Sequence, residues 1–160
     1  MKKAIIYATK GGTCRIMAQK LAEKLKDADV FDVKQAPDIK DYDIIIFGGA
    51  YYASMLNRKL TKFVKKNSDI LKEKKYAFFI SCIANENYLD VLKTNIGEDI
   101  MKSSYITRWF GYGASIEEAK GLNKLITKIM VASLKKQNKP TTLINDEEIQ
   151  GFADTINDIK

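Results

Sequence analysis

The sequence predicts an α/β domain, a doubly wound sandwich of five parallel strands with helices on both faces, and three observations predict it. Residues 4–8, 44–47 and 76–80 are apolar with no alternation (Ile5-Ile6, Ile44-Ile45-Ile46-Phe47, Phe78-Phe79-Ile80), as in strands buried on both sides. Segments of helical period separate them. Each run then gives way to polar or glycine residues, as at the carboxyl ends of strands in a parallel sheet.

Residues 3–8 form the first strand, and residues 9–14 the loop after it. Met17, Leu21 and Leu25, with Ala18 and Ala22, give the next helix one apolar face, and that helix ends near Asp27. Val30, Phe31, Asp32 and Val33 alternate as a short second strand before Pro37. Residues 43–49 make the central strand, ending on Gly48-Gly49; Tyr51, Tyr52, Ala53 and Ser54 follow as a loop. Leu56, Leu60, Phe63 and Val64 then recur as a helical stripe among lysines.

Residues 76–80 are the fourth strand, running into residues 81–87. Tyr88, Leu89, Val91 and Leu92 predict a short helix broken by Gly97, and residues 105–112 a fifth strand whose end Gly111 and Gly113 loosen. Ser115 and Glu118 have capping-box spacing. Beyond them Leu122, Leu125, Ile126, Ile129 and Met130 form an apolar face opposite Lys120, Lys124 and Lys128, and Pro140 ends the unit. Two readings stay open for the basic helix 118–134: cover for the sheet, or contact with anionic lipid. Acidic residues at 146–148 open a last helix with Ile149, Phe152, Ala153, Ile156 and Ile159 on its buried side.

The 160 residues fit one domain, 1–160, and a composition 46% hydrophobic and 29% charged is that of a water-soluble globule. No apolar run exceeds strand length and residues 1–3 lead straight into a strand, so the expected location is the cytoplasm. With no histidine, Ser-His and Cys-His nucleophile pairs are excluded and zinc or iron sites nearly so; hard chemistry must come from a cofactor. The net charge of +7 favours an anionic ligand, an acidic partner or a membrane surface, or simply a lysine-rich solvated face. The first loop lacks the carboxylates of a Mg²⁺-binding regulator, the Gly-Lys-Ser/Thr end of a nucleotide loop and the three spaced glycines of a dinucleotide site. No nucleic-acid reading element accompanies the basic charge.

The glycine pair before the first helix outlines an anion site, since the chain can bend there and present unpaired amides to a phosphate. The loop Thr9-Lys10-Gly11-Gly12-Thr13-Cys14, the segment Gly48-Gly49-Ala50-Tyr51-Tyr52-Ala53 and the order of elements resemble the flavodoxin family across essentially the whole chain. Within that family, residues 48–66, ending Phe63-Val64-Lys65-Lys66, and Trp109-Phe110-Gly111-Tyr112-Gly113 resemble the menaquinone-dependent protoporphyrinogen oxidase type.

The resemblance implies strand order 2-1-3-4-5 and FMN as cofactor. It implies that Thr9, Lys10, Gly11, Gly12, Thr13 and Cys14 wrap the FMN phosphate, with Cys14 a weaker donor than the threonine usual there. Ala50, Tyr51, Tyr52 and Ala53 border the flavin ring, Tyr52 being the preferred stacking residue, unless the tyrosines simply pack on the neighbouring helix. Ser81, Cys82, Ile83, Ala84 and Asn85 face its polar edge. No catalytic residue or metal site is assigned. In that order a strand separates those bearing Cys14 and Cys82, leaving roughly 9 to 10 Å between their ends, too far for a disulfide. The implied activity is an FMN-dependent oxidoreductase passing electrons from a porphyrinogen-like or other reduced substrate, with Arg108, Trp109 and Tyr112 as contacts, to a quinone or other acceptor. The alternatives are an electron carrier serving redox partner proteins, or a scaffold without cofactor.

Overall fold

Strands that are apolar at every position can only be inner strands, because both of their faces need cover. The computed structural model describes residues 1–52, 54–83, 87–113 and 121–160. Its strands are β1 (Lys3–Ala8), β2 (Ala28–Asp32), β3 (Ile44–Tyr52), β4 (Met55–Leu56), β5 (Lys75–Ser81), β6 (Thr107–Gly113) and β7 (Thr142–Ile144). Its helices are α1 (Thr13–Lys24), α2 (Arg58–Lys66), α3 (Ser68–Leu71), α4 (Tyr88–Ile96), α5 (Glu98–Lys102), α6 (Leu122–Lys136) and α7 (Asp146–Asn157).

The sheet runs β2-β1-β3-β5-β6-β7. Its first five strands are mutually parallel, in the order expected of the five predicted strands. Two short strands are additions to that expectation: β7 lies antiparallel along the edge of β6, and β4 turns back on the end of β3. Neither is long enough to show a period in sequence, and Thr142 and Leu143 are exposed.

Alternation along the inner strands divides the core into two layers. On one face Ile6, Ile45, Phe47, Phe78 and Ile80 meet Leu60 and Val64 of α2, Leu71, and Leu92 and Ile96 of α4. On the other, Ile5, Ile44, Ile46, Phe79 and Phe110 meet Met17, Ala18 and Leu21 of α1 and Ile149, Phe152 and Ile156 of α7. Phe79 stacks on Phe110 at 4.8 Å, and Phe110 meets Phe152 edge-on at 5.2 Å, so an aromatic chain runs from the sheet into α7. Cys14 and Cys82 lie in opposite layers and both are free thiols.

Three sequence expectations change. Gly48 and Gly49 do not end the central strand but lie inside β3, which runs on to Tyr52; there a Cβ on Gly48 would stand 1.9 Å from the Phe79 ring and one on Gly49 2.6 Å from Leu60. Tyr51 and Tyr52 continue that strand and pair with Leu56 and Met55 in a hairpin. On α6, Val131 and Leu134 face inward against Tyr112, while Leu122, Leu125 and Ile129 face outward. The capping box at Ser115 and Glu118, and the first residues of helix 118–134, lie outside the described residues.

Candidate functional site

In this strand order β1 leads to β2 on one side and the chain then returns to β3 on the other, so the topology switches between β1 and β3. Ligands of doubly wound sheets bind beyond the strand carboxyl ends at that switch. Register brings four such ends level: Ala8 pairs with Gly49, Ala50 with Ser81, and the Cys82 amide donates to the Gly111 carbonyl at 2.9 Å.

Beyond β1, Thr9 is half-buried and Lys10 exposed. Gly11 borders open space, where an added Cβ would meet nothing within 4 Å. Gly12 adopts a left-handed φ of 80° to turn the chain into α1, a conformation glycine takes without strain. Its carbonyl accepts from the Arg15 and Ile16 amides, whereas helix geometry leaves the Thr13 and Cys14 amides without intrahelical partners. Among the described residues no side chain caps α1, and its own first turn holds no acidic residue, so the helix brings no carboxylate of its own to its positive end.

Thr13 is buried beneath β6: a Cβ on Gly113 would come within 2.3 Å of its Oγ1, so the bare glycine is what lets the end of β6 cross the start of α1. Cys14 is wholly buried. Its thiol is pushed up to about 12, chiefly by burial, with a Ser81 hydrogen bond working against the rise and the nearby Cys82 adding a smaller part of it. The thiol therefore faces the core, and at position 14 the expected side-chain donor gives way to a backbone amide.

The β3–β4 hairpin forms the second wall. The Asn95 amide clamps it, accepting from the Leu56 N–H at 3.1 Å and donating to the Ser54 carbonyl at 3.1 Å. Ala50 packs with the layer under α1, and Tyr51 with the layer under α2 and α4. Tyr51 also hydrogen-bonds the Cys82 thiol, which burial pushes up to about 11. Tyr52 remains 53% exposed, a ring surface without cover at the same edge. Ala53 lies outside the described residues.

The third wall follows β5. Ser81 and Cys82 are buried and Ile83 half-buried; Ala84 and Asn85 lie outside the described residues. The Trp109 indole donates to the Cys82 carbonyl at 2.8 Å, fixing the loop's backbone from β6. Beside it, Tyr88, Arg108, Trp109 and Glu148 line a cavity of about 330 Å³, with the Arg108 guanidinium 3.5 Å from the Glu148 carboxylate. Tyr112 is not part of this cavity: it is buried, and its hydroxyl donates to the Pro140 carbonyl at 3.2 Å.

The described members of the three sequence-predicted segments thus gather at one edge. Sequence reasoning missed the Thr13–Gly113 contact, the Asn95 clamp and the Trp109 tie. Gly111-Tyr112-Gly113 was the visible signal for the first; an asparagine inside a helix and a tryptophan inside a strand announce nothing by themselves. Among the described residues no group of three metal-ligating side chains occurs.

A family model described as a flavodoxin domain matches residues 4–142. Among curated proteins no significant match is found. Solved structures of similar fold include a flavodoxin of Streptococcus pneumonia, at a TM-score of 0.61 and 16% identity over 98% of this chain and 97% of that one. The oxidised flavodoxin 1 of Bacillus cereus gives 0.59 and 16% over the whole of both chains. A flavoprotein of Lactobacillus acidophilus, solved in complex with FMN, gives 0.52 and 12% over 69% of this chain and 92% of that one. With the family model spanning most of its length, the chain belongs to the flavodoxin domain family.

Proposed function

We propose that this chain binds FMN and transfers electrons with it. The observation that carries the reading is the uncapped, acid-free first turn of α1 meeting the ends of β3 and β5 at the switch point of the sheet. The similarity to solved flavodoxins and to the FMN complex supports the choice of cofactor.

In this reading the amides of Gly11, Gly12, Thr13 and Cys14 and the Thr9 hydroxyl hold the phosphate, and Lys10 adds positive charge from the solvent side. Tyr52 covers one face of the ring, with Ala50 and Tyr51 along its border. The backbone of Ser81, Cys82 and Ile83 meets its polar edge. When bound, the flavin supplies one- or two-electron chemistry, and the protein orients it and limits solvent access. The visible spectrum of the purified protein tests this: flavin absorption, or its appearance on adding FMN, is expected. A colourless protein unchanged by FMN leaves only the scaffold reading.

The finer activity is also a proposal: oxidation of a reduced, porphyrinogen-like substrate with electrons passed to a quinone. It draws on residues 48–66 and 109–113 and on the cation and aromatic rings of the cavity beside β6, with Arg108 and Trp109 but not Tyr112 as contacts. Turnover of a porphyrinogen with a soluble quinone would support it. Salt-sensitive electron exchange with a reductase and no such turnover would assign the chain as a carrier, in which case its +7 charge suits an acidic partner. The proposed setting is the cytoplasm; no helix among the described residues is long and apolar enough to cross a membrane.

A further inference from the structure

The outward face of α6 carries apolar surface that the fold does not use. Val131 and Leu134 are its buried side chains, packed with Tyr112, while Leu122, Leu125 and Ile129 stand 74%, 57% and 62% exposed. At 100° per residue these three fall within about 60° of one another, a single aliphatic ridge along the helix. Lys124, Lys128 and Lys135 form a second exposed row, clustered within about 40° beside that ridge. No aspartate or glutamate occurs anywhere in α6.

We propose that α6 lies in the plane of an anionic lipid bilayer. Leu122, Leu125 and Ile129 enter the boundary between headgroups and acyl chains, and Lys124, Lys128 and Lys135 reach the headgroup phosphates with their aliphatic stems along the apolar surface. Charge selects this occupant. A second copy packed through the same face would set two lysine rows against each other in a chain already at +7. A protein partner is matched less well, because the ridge is convex and purely aliphatic, without the aromatic or arginine anchors that concentrate binding energy at protein interfaces.

Position gives the contact a consequence. The inner side of α6 packs beside Ile83 and Trp109, which belong to or hold the third wall of the candidate site. A bilayer held by α6 therefore lies next to that wall, whatever occupies the site.

Sedimentation of the full chain with vesicles tests this without reference to any cofactor. Binding to vesicles of phosphatidylglycerol and phosphatidylcholine is expected, with little or none to phosphatidylcholine alone. Leu125→Asn combined with Ile129→Asn should lower the partition coefficient at least about tenfold, with the circular dichroism unchanged. Lys124→Gln combined with Lys128→Gln should weaken binding and flatten its dependence on salt. Absence of binding to anionic vesicles overturns the proposal. So does full binding by the asparagine variant, which would make the contact a general adsorption of positive charge. A lipid-free dimer that the asparagine variant converts to monomer would assign the ridge to a second copy and overturn it as well.

Discussion

Helices α6 and α7 read alike in sequence and end differently in the fold. Both carry an apolar stripe at helical spacing among charged residues. In α7 that stripe is the core: Ile149, Phe152, Ala153 and Ile156 are all fully buried between the sheet and α1. In α6 the stripe splits, with two residues buried and three large aliphatic side chains facing out. The difference is one of position. α7 returns across β6 and beside α1, where the sheet offers a broad apolar floor, whereas α6 lies at the edge of the sheet and, among the described residues, packs on Ile83, Trp109 and Tyr112. The Asn145 side chain accepts from the Glu148 amide to cap α7, whereas among the described residues no side chain caps α6.

The largest expected effect lies at the centre of the α7 layer. Phe152→Ala should cost about 3–5 kcal/mol in urea-induced unfolding, since it empties a fully buried ring site against Phe110. Gly48→Ala should cost about 1–3 kcal/mol, because the new methyl would press on a Phe79 ring already stacked on Phe110. Alkali probes the same layer through Cys14. The folded state keeps that proton to about pH 12 while an unfolded thiol loses it near 9, so the contribution is full below pH about 9 and falls as pH rises between the two values. Thermal melting between pH 8 and 10.5 should show the fall, at no more than about 1.4 kcal/mol per pH unit for this thiol, and Cys14→Ala should reduce it. Asn145→Ala should cost about 1 kcal/mol through loss of the cap. The smallest effect belongs to α6: Ile129→Asn should change stability by no more than about 0.5 kcal/mol. A cost there comparable with that of Phe152→Ala would show that the ridge is core after all and erase the contrast.

What the sequence displayed follows the same division between pattern and surroundings. β1, β3 and β5 were legible because burial on both faces removes alternation, and their order followed from the family resemblance. β4 and β7 were not, being two and three residues long and held by pairing instead of by burial. At the candidate site the glycine pair Gly11-Gly12 announced a turn into a helix, and the structure supplies that turn at Gly12. Gly48-Gly49 gave the same local signal and has a different cause: the glycines make room for Phe79 and Leu60, side chains distant in sequence. The inward turn of Cys14 was equally hidden, because only the packing of α1 on the sheet decides which side of its first turn is core.

Trp109 is the only tryptophan of the chain, and its indole is bonded to the backbone of the third wall. Indole emission overlaps flavin absorption, so a flavin seated against that wall would draw the emission away by energy transfer. The protein thus carries its own optical gauge of occupancy: fluorescence should fall as FMN is added and recover on its release. With one tryptophan, the indole signal is read without labelling or correction for other tryptophans.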